Sequence, residues 1–241
     1  MMTTTATYSR VRRPIFTPIR ERNHNLEEQL SSKYESFLSN SSHRVNLSNF
    51  ANKISDGVHN TVIDSADGTF NLLSCKNLKD GRVVINDVER KISKETFQIL
   101  RRRTQLEQWD ILLSSVGTIG EIVLLKEDPS KYEFQRSVAM IKACDKQDAC
   151  IIYSALKRQK NELIHSAHGA VQQCLFLSDI KGFEIEVPTK RNTIDEFGKY
   201  AIAVHNAIAK NQKESIVLGT LRDSLLTHLM SGELNITEID C

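Results

Sequence analysis

The chain has 241 residues and a mass of 27.3 kDa, which suffices for one full domain with appendages or for two small domains. Hydrophobic residues make up 40% and charged residues 26%, an ordinary globular composition that argues against a wholly disordered chain. The formal net charge of +2 neither identifies nor excludes a nucleic-acid-binding protein, because charged patches rather than totals set the local field.

The sequence also argues against a membrane protein and against a secreted protein. A run of about 18 apolar residues is absent from the sequence, so we expect no transmembrane helix. Residues 1–13 are rich in threonine and then basic, and they lack the apolar core of a secretory signal. The cysteines form no C-x-x-C pair and are odd in number, so we expect free thiols in a reducing cytoplasm, with neither a disulfide framework nor a metal site: Cys75, Cys144, Cys150, Cys174 and Cys241.

The N-terminal region, residues 1–43, is predicted to hold a basic arm and a short helix. Residues 1–20 carry several arginines, threonines and prolines without periodicity, which indicates a flexible segment. Residues 21–39 place Leu26, Leu30 and Tyr34 at helical spacing, so a narrow amphipathic helix is expected there. Such a helix needs a partner surface to be stable.

Residues 44–189 are predicted to form an α/β or α+β domain. Short apolar runs rich in β-branched residues alternate with glycines, which is typical of strands and turns. Asp80-Gly81 is a plausible hairpin turn. The expected strands are residues 69–74, 82–85, 111–114, 119–125, 138–141 and 183–187, and the expected helices are residues 94–103 and 151–164.

Residues 190–241 are predicted to contain a long helix of the coiled-coil type. Between Ile194 and Met230 no proline occurs, and apolar residues recur in alternating steps of three and four with a polar centre at Asn211 and Ser215. A break near Gly219 would leave two helices. The seam is expected to face another helix, either within its own domain or in a partner, through Phe197, Val204, Ile208, Leu218, Leu225 and Leu229.

Signatures of catalysis are missing from the sequence. We find no N-P-P-F/Y tetrapeptide of adenine methyltransferases, no phosphate-binding G-x-x-x-x-G-K-S/T and no G-x-S-x-G elbow. A nuclease would need clustered carboxylates with a lysine, and Asp110 with Glu107 lacks a third member. The sequence therefore predicts a non-catalytic protein without a cofactor.

Three parts of the sequence carry a resemblance to a known family. They are Ile54–His59 followed by Asn71–Gly81, then Trp109–Gly120, and finally Leu221–Leu234. In this order they resemble the specificity subunits of type I restriction–modification systems. The segments D-I-L-L-S…G-T-I-G and L-R-D…L-M-S-G-E-L carry most of the resemblance, which covers roughly residues 45–234.

The resemblance implies a function without an active site of its own. Such a subunit reads a split DNA target and directs a partner adenine methyltransferase, which in some complexes is joined by a restriction subunit that uses ATP. A usual specificity subunit has two target-recognition domains, each followed by a long helix, whereas this chain has one such unit. We therefore expect a homodimer through the C-terminal helix, or a pairing with a second half-size chain.

Candidate DNA-binding residues lie in the expected loops and in one basic cluster. Arg/Lys, Asn/Gln and Ser/Thr are the side chains that reach base edges in the grooves, and clustered arginines suit phosphates. The arginine triplet is assigned to phosphate contact, and the whole candidate set is Lys76, Asn77, Arg101, Arg102, Arg103, Ser115, Thr118, Gln135 and Arg136. The alternative function is a coiled-coil adaptor that binds a protein and not DNA.

Overall fold

The structure is a computed structural model that describes residues 4–169 and 173–231, with side chains from residue 18 onward. Its contacts divide the chain into two units: residues 30–202, and a smaller unit of residues 1–29 with 203–241. The described part of the smaller unit is entirely helical. Residues 232–241, the end of the expected helical region, lie outside the described residues.

The strands are short and fall almost entirely inside the predicted α/β block. They are β1 (Ser42–Asn46), β2 (Lys53–Asp56), β3 (Phe70–Leu73), β4 (Leu78–Lys79), β5 (Arg82–Val83), β6 (Arg90–Ile92), β7 (Ile111–Ser114), β8 (Ile122–Leu124), β9 (Tyr132–Phe134), β10 (Val138–Lys142) and β11 (Glu184–Pro188). The α-helices are α1 (Thr4–Asn40), α2 (Leu47–Phe50), α3 (Lys94–Thr104), α4 (Lys146–Arg158), α5 (Lys160–His165), α6 (Leu177–Gly182) and α7 (Arg191–Ser231), and Cys75–Asn77 form a 3₁₀ turn.

A four-stranded antiparallel sheet forms the centre of the larger unit, with the strand order β2, β10, β7, β8. The inner strands β7 and β10 are buried on both faces, which explains why they read as continuous apolar runs in the sequence. Helix α4 packs against β7 and β8 with Ile152 and Leu156 buried.

A second sheet has the order β6, β3, β9, in which β3 and β9 run parallel. The hairpin of β4 and β5 turns at Asp80 and Gly81, and both residues have positive φ angles, 51° and 69°. That combination is the turn favoured by Asp-Gly, so this expectation is confirmed. Strands β1 and β11 pair antiparallel, from Ser42 opposite Pro188 to Asn46 opposite Glu184.

The predicted mixed α/β class with a long C-terminal helix is confirmed, and one helix of the domain differs from expectation. The helix expected at residues 151–164 begins earlier, at Lys146, and breaks at Gln159 into α4 and α5. Helix α7 runs from Arg191 to Ser231 without a break at Gly219. Gly198 has a packing role, because a Cβ there would lie 2.5 Å from Cβ of Gln147 on α4.

The N-terminal segment also differs from expectation, because helix α1 already begins at Thr4. Its C-terminal part packs inside the larger unit, where Tyr34 and Phe37 are buried against Phe197 of α7. A helix that is nucleated by such packing extends by one hydrogen bond per added residue, whereas the threonines and prolines of residues 1–20 and their lack of periodicity favoured a flexible segment.

Candidate nucleic-acid interface

Loops from four parts of the chain meet at one end of the larger unit. Strands β2 and β7 end there and the antiparallel β10 begins there, while the parallel strands β3 and β9 end at a common edge. The segment between β9 and β10 is the centre: Gln135 forms a bridge with Val58, and the backbone oxygen of Ser137 accepts 2.9 Å from the amide of Ser115. The hydroxyl of Ser137 accepts 3.1 Å from the amide of Cys75. The topology thus brings together three of the predicted DNA-binding segments.

An open cleft of about 670 Å³ lies among these loops. Its walls combine a carboxylate, an imidazole, a guanidinium, hydroxyl groups and an apolar edge. The lining residues are Asp56, His59, Ser115, Val116, Arg136, Ala139, Cys174, Leu175, Phe176, Leu177, Ser178 and Ile180. Such a cleft presents donors and acceptors beside apolar surface, which is the mixture found on the edges of bases in the major groove.

The exposed polar candidates lie in the loops that meet at Ser137. Arg136 lines it, Thr118 is exposed in the neighbouring loop, and Gln135 is partly exposed. Lys76 is exposed, and its ammonium lies 3.2 Å from Oε2 of Glu89. The carboxylate of Glu89 is buried, so this ion pair ties the ammonium of Lys76 to the turn while the side chain stays exposed at the surface.

Asn77 was wrongly assigned to base reading. It is 1% exposed, and its amide group is fully engaged within the turn. Oδ1 accepts 2.9 Å from the amide of Ser74, and Nδ2 donates 3.0 Å to the carbonyl of Val84 and 2.7 Å to Oε1 of Glu89. Asn77 therefore holds the 3₁₀ turn against the β4–β5 hairpin and cannot reach a base edge.

Ser115 is a second correction. It lines the cleft but is buried, and its hydroxyl donates 3.4 Å to the backbone oxygen of Arg136. Its carbonyl accepts 2.8 Å from the amide of Leu175. Ser115 thus joins three loops at the wall of the cleft, and the expected role as a base reader does not fit its burial.

The arginine triplet at the end of α3 divides into three environments. Arg101 turns inward and donates to the buried carboxylate of Glu133 and, at 2.6 Å, to the carbonyl of Pro129, so its assignment to phosphate is wrong. Arg102 is exposed. Arg103 lies 3.3 Å from Oδ1 of Asp56 and is half-exposed.

Burial raises the pKa of Glu133, and the hydrogen bond and charge of Arg101 oppose that rise. The residue is fully buried and also accepts hydrogen bonds of 3.0 and 3.1 Å from the hydroxyl of Thr104. A buried carboxylate in an otherwise apolar setting requires such partners, which is why Arg101 points into the interior.

Sequence reasoning missed the acidic and aromatic side of the cleft. Asp56 contacts both the imidazole of His59 and the guanidinium of Arg103. Gly57 does have a steric role, since a Cβ there would lie 2.2 Å from the carbonyl oxygen of Phe134. Phe176 sits in a loop without periodicity, so the sequence held no signal for its place in the cleft.

Comparison with known proteins gives the chain a family context. No family model matches the sequence. It is 32% identical to the type I restriction enzyme MjaIX specificity subunit of Methanocaldococcus jannaschii over 88 residues, which are 36% of this chain and 20% of the relative. It is 27% identical to the type I restriction enzyme EcoBI specificity subunit of Escherichia coli over 195 residues, which are 78% of this chain and 40% of that relative. The chain thus spans less than half the length of these curated relatives.

The fold is similar to that of solved specificity subunits. The S subunit of a type I restriction–modification system from M. genitalium aligns with a TM-score of 0.59 and 16% identity, covering 88% of this chain and 55% of that chain. A chain from structural work on complex assembly and conformational transition of the type I system aligns with a TM-score of 0.52 and 14% identity, over 92% and 56% of the two chains. This chain is a homologue of the type I specificity subunits.

The predicted seam of this specificity-subunit homologue divides into a covered and an exposed part. Phe197 is fully buried, with ring centroids 5.0 Å from Tyr34 and 5.8 Å from Phe37, so α1 covers it within the chain. Val204 and Ile208 are likewise buried in the smaller unit. Their assignment to a dimer interface is therefore wrong.

Further along α7 the homologue exposes apolar side chains. Leu218 is partly buried, whereas Leu225 and Leu229 are exposed. With Val217 and Leu221, which are also exposed, they form a row at helical spacing. Between the two parts, the side chain of Asn211 donates 2.7 Å to Oδ1 of Asn23 on α1. The polar centre thus pairs with α1 inside the chain.

Two classes of site find no support in the described part of the homologue. Its His, Cys, Asp and Glu residues form no group of three that could hold a metal ion. Within the same residues, none of the helices has the length and apolar character needed to cross a bilayer.

Proposed function

We propose that the protein is the DNA-specificity subunit of a type I restriction–modification complex, with residues 44–189 as its target-recognition domain. The observation that carries this proposal is the mixed cleft, which Arg136 lines. Lys76, Thr118 and the partly exposed Gln135 lie in the three loops that hydrogen bonds to Ser137 bring together beside it. These side chains include hydrogen-bond donors that suit the acceptors on base edges and phosphates.

Each of these residues suits one type of contact. Arg136 at the cleft matches the two acceptors of guanine, and Gln135 matches the donor and acceptor of adenine. Lys76 and Arg102 are exposed cations outside the lining and suit phosphates. The hydroxyl of Thr118 suits a hydrogen bond to the DNA backbone or to a base edge.

The chemistry in this proposal belongs to a partner. The relatives that the chain matches are named specificity subunits of restriction enzymes. By analogy, the chain directs an adenine methyltransferase subunit to a split DNA target, with or without a restriction subunit that uses ATP. The helical residues 190–241 then act as spacer and partner-binding region, and the chain itself needs no cofactor.

The test is the methylome of cells that carry the chain and its partner methyltransferase, compared with cells that lack the chain. We expect a split motif that disappears without the chain. Arg136→Ala should change or abolish the motif, while Arg102→Ala, a matched exposed arginine outside the cleft, should keep the motif at reduced methylation. A motif that persists without the chain would overturn the proposal and favour the adaptor function.

A homodimer remains the proposed assembly, and it now depends on the C-terminal part of α7. The chain spans about half the length of the solved relatives, so two copies would supply two recognition domains. Leu221, Leu225 and Leu229 present apolar surface that a second copy could bury. A two-fold dimer would read the same half-site twice, so its target would be a split palindrome.

Light scattering at micromolar concentration tests this assembly. Leu218→Asp combined with Leu225→Asp should convert a dimer to a monomer, because each buried carboxylate would lack a partner. Ser224→Asp, an exposed position on the same helix, is the matched control and should remain a dimer. A monomer for the unmodified chain, or a methylome motif with two unlike halves, would contradict the homodimer.

A further inference from the structure

The loop that carries Phe176 forms the apolar wall of the cleft and is firmly tied to the fold. His168 and Cys174 exchange two backbone hydrogen bonds of 2.9 and 2.7 Å, and Cys174 also pairs with Val116 beyond the end of β7. The next residue, Leu175, is buried and donates 2.8 Å to the carbonyl of Ser115. The position of Phe176 is therefore set by the same strand end that forms the rest of the cleft.

Phe176 itself is 55% exposed despite these constraints. Its amide donates 2.8 Å to Oδ2 of Asp179, and its ring stacks against that of His168 with centroids 5.8 Å apart at 28°. His168 in turn lies 3.3 Å from Oδ1 of Asp179. Asp179 thus holds both the backbone of Phe176 and the imidazole that stacks on its ring, while the ring itself remains exposed to solvent.

The cleft places this apolar ring together with polar groups. Phe176 lines it with Arg136, His59 and Asp56, which offer charge and hydrogen bonds. In the major groove, thymine is the base that presents a methyl group beside a hydrogen-bond acceptor, and phenylalanine is one of the side chains that contact this methyl group. A pre-positioned apolar ring beside donors therefore matches the edge of a thymine.

We propose that Phe176 is a specificity-determining residue that contacts the C5-methyl group of a thymine in the DNA target. The inference rests on the proposed function, since it names the base feature that one wall of the cleft reads. His168 acts as a positioning residue, because its ring supports that of Phe176. Removing the methyl contact should lower affinity about fourfold, which corresponds to about 0.8 kcal/mol for one buried carbon.

The experiment is a binding selection with the purified full-length chain on two random duplex libraries, one with thymine and one with deoxyuridine in its place. The unmodified chain should enrich a motif that contains a defined thymine in the first library and lose preference at that position in the second. Phe176→Ala should lose the same preference in the thymine library. Ile99→Ala, an exposed apolar residue that does not line the cleft, should keep the full motif.

The outcomes separate the inference from the proposed function. If the unmodified chain enriches a motif that is the same with deoxyuridine and with Phe176→Ala, this inference is overturned while the DNA-binding function stands. Enrichment of no sequence by the unmodified chain would count against the proposed function itself. The deoxyuridine library needs no substitution in the protein, so the inference stays testable even if Phe176→Ala folds poorly.

Discussion

Arg101 donates to the carboxylate of Glu133, a side chain with no exposed surface. This ion pair fixes the end of α3 to strand β9, next to the loop that enters the cleft. Removing one partner of a buried ion pair leaves an uncompensated charge, which typically costs about 3 kcal/mol. The pair is therefore a structural feature of the domain rather than part of its surface.

We predict that Arg101→Ala lowers the free energy of unfolding by about 3 kcal/mol at neutral pH. Since burial already raises the pKa of Glu133, the variant should recover stability as the pH falls and Glu133 takes up a proton. Urea unfolding at about pH 5.5 and about pH 8 would measure this difference. An equal loss at both pH values, or a loss as large for Arg102→Ala, would contradict the prediction.

Asn77→Ala should also destabilise the domain. The substitution removes three hydrogen bonds and leaves Oε1 of Glu89 without its shortest donor. Unsatisfied buried groups cost about 1–3 kcal/mol each, so the loss of stability should fall in that range. Thermal unfolding of Asn77→Ala beside Lys79→Ala checks it, because Lys79 is an exposed residue of the same hairpin and its substitution should change stability little. Normal stability combined with loss of target DNA binding would restore Asn77 as a base reader.

Arg102→Ala should weaken binding of target and non-target DNA equally. An exposed arginine that contacts a phosphate releases about 0.9 of a counterion, so the slope of log affinity against log salt should become shallower by about that amount. Fluorescence anisotropy across a salt series on both duplexes gives the slope. Arg101→Ala serves as the contrast, since its side chain faces the interior. A loss confined to the target duplex would indicate base reading instead.

The network of Arg158 predicts an acid dependence of stability. Its guanidinium lies 2.6 Å from Glu35 of α1 and 2.7 Å from Glu186 of β11. The hydrogen bond from Ser42 and the charge of Arg158 lower the pKa of Glu186 below its ordinary 4.5. A lowered carboxylate pKa contributes stability above pH 4.5, and this contribution disappears as the pH falls through the native pKa.

Arg158→Met should therefore reduce the loss of melting temperature between neutral pH and about pH 3.5. The neighbouring exposed Lys157→Met should leave that pH dependence unchanged, because the ammonium of Lys157 lies over the ring of Tyr153, 6.0 Å from its centroid. Calorimetry of both variants over the pH range decides the matter. Parallel pH profiles for Arg158→Met and the unmodified chain would show that Arg158 does not set the pKa of Glu186.

Local signals in the sequence predicted the elements that depend on local interactions. The apolar runs of β7 and β10, the Asp80-Gly81 turn and helix α3 appear where their patterns indicated. The sequence could not distinguish the environments of adjacent arginines on α3. Successive helical residues are rotated by about 100°, so Arg101 points inward while Arg102 is exposed.

Features that depend on distant parts of the chain were beyond the sequence pattern. The apolar stripe of α7 required a covering helix, but periodicity alone did not say that Tyr34 and Phe37 of α1 would cover Phe197. In the same way, the sequence around Asn77 indicates a solvated loop, whereas the β4–β5 hairpin buries this residue. Phe176 lines the cleft from a loop that has no short-range sequence pattern.

The antiparallel pairing of β1 and β11 has an evolutionary consequence. Because Ser42 lies opposite Pro188, the chain enters and leaves the block between them at neighbouring positions. Recombination at these two points would exchange one continuous gene segment while the flanking helices kept their sequence. A transplanted block would still have to offer a backbone carbonyl to Tyr34, which donates 2.7 Å to that of Glu186, and to leave room for α7 at Gly198. The block between these two strands is thus a cassette that can be exchanged without any redesign of the helices.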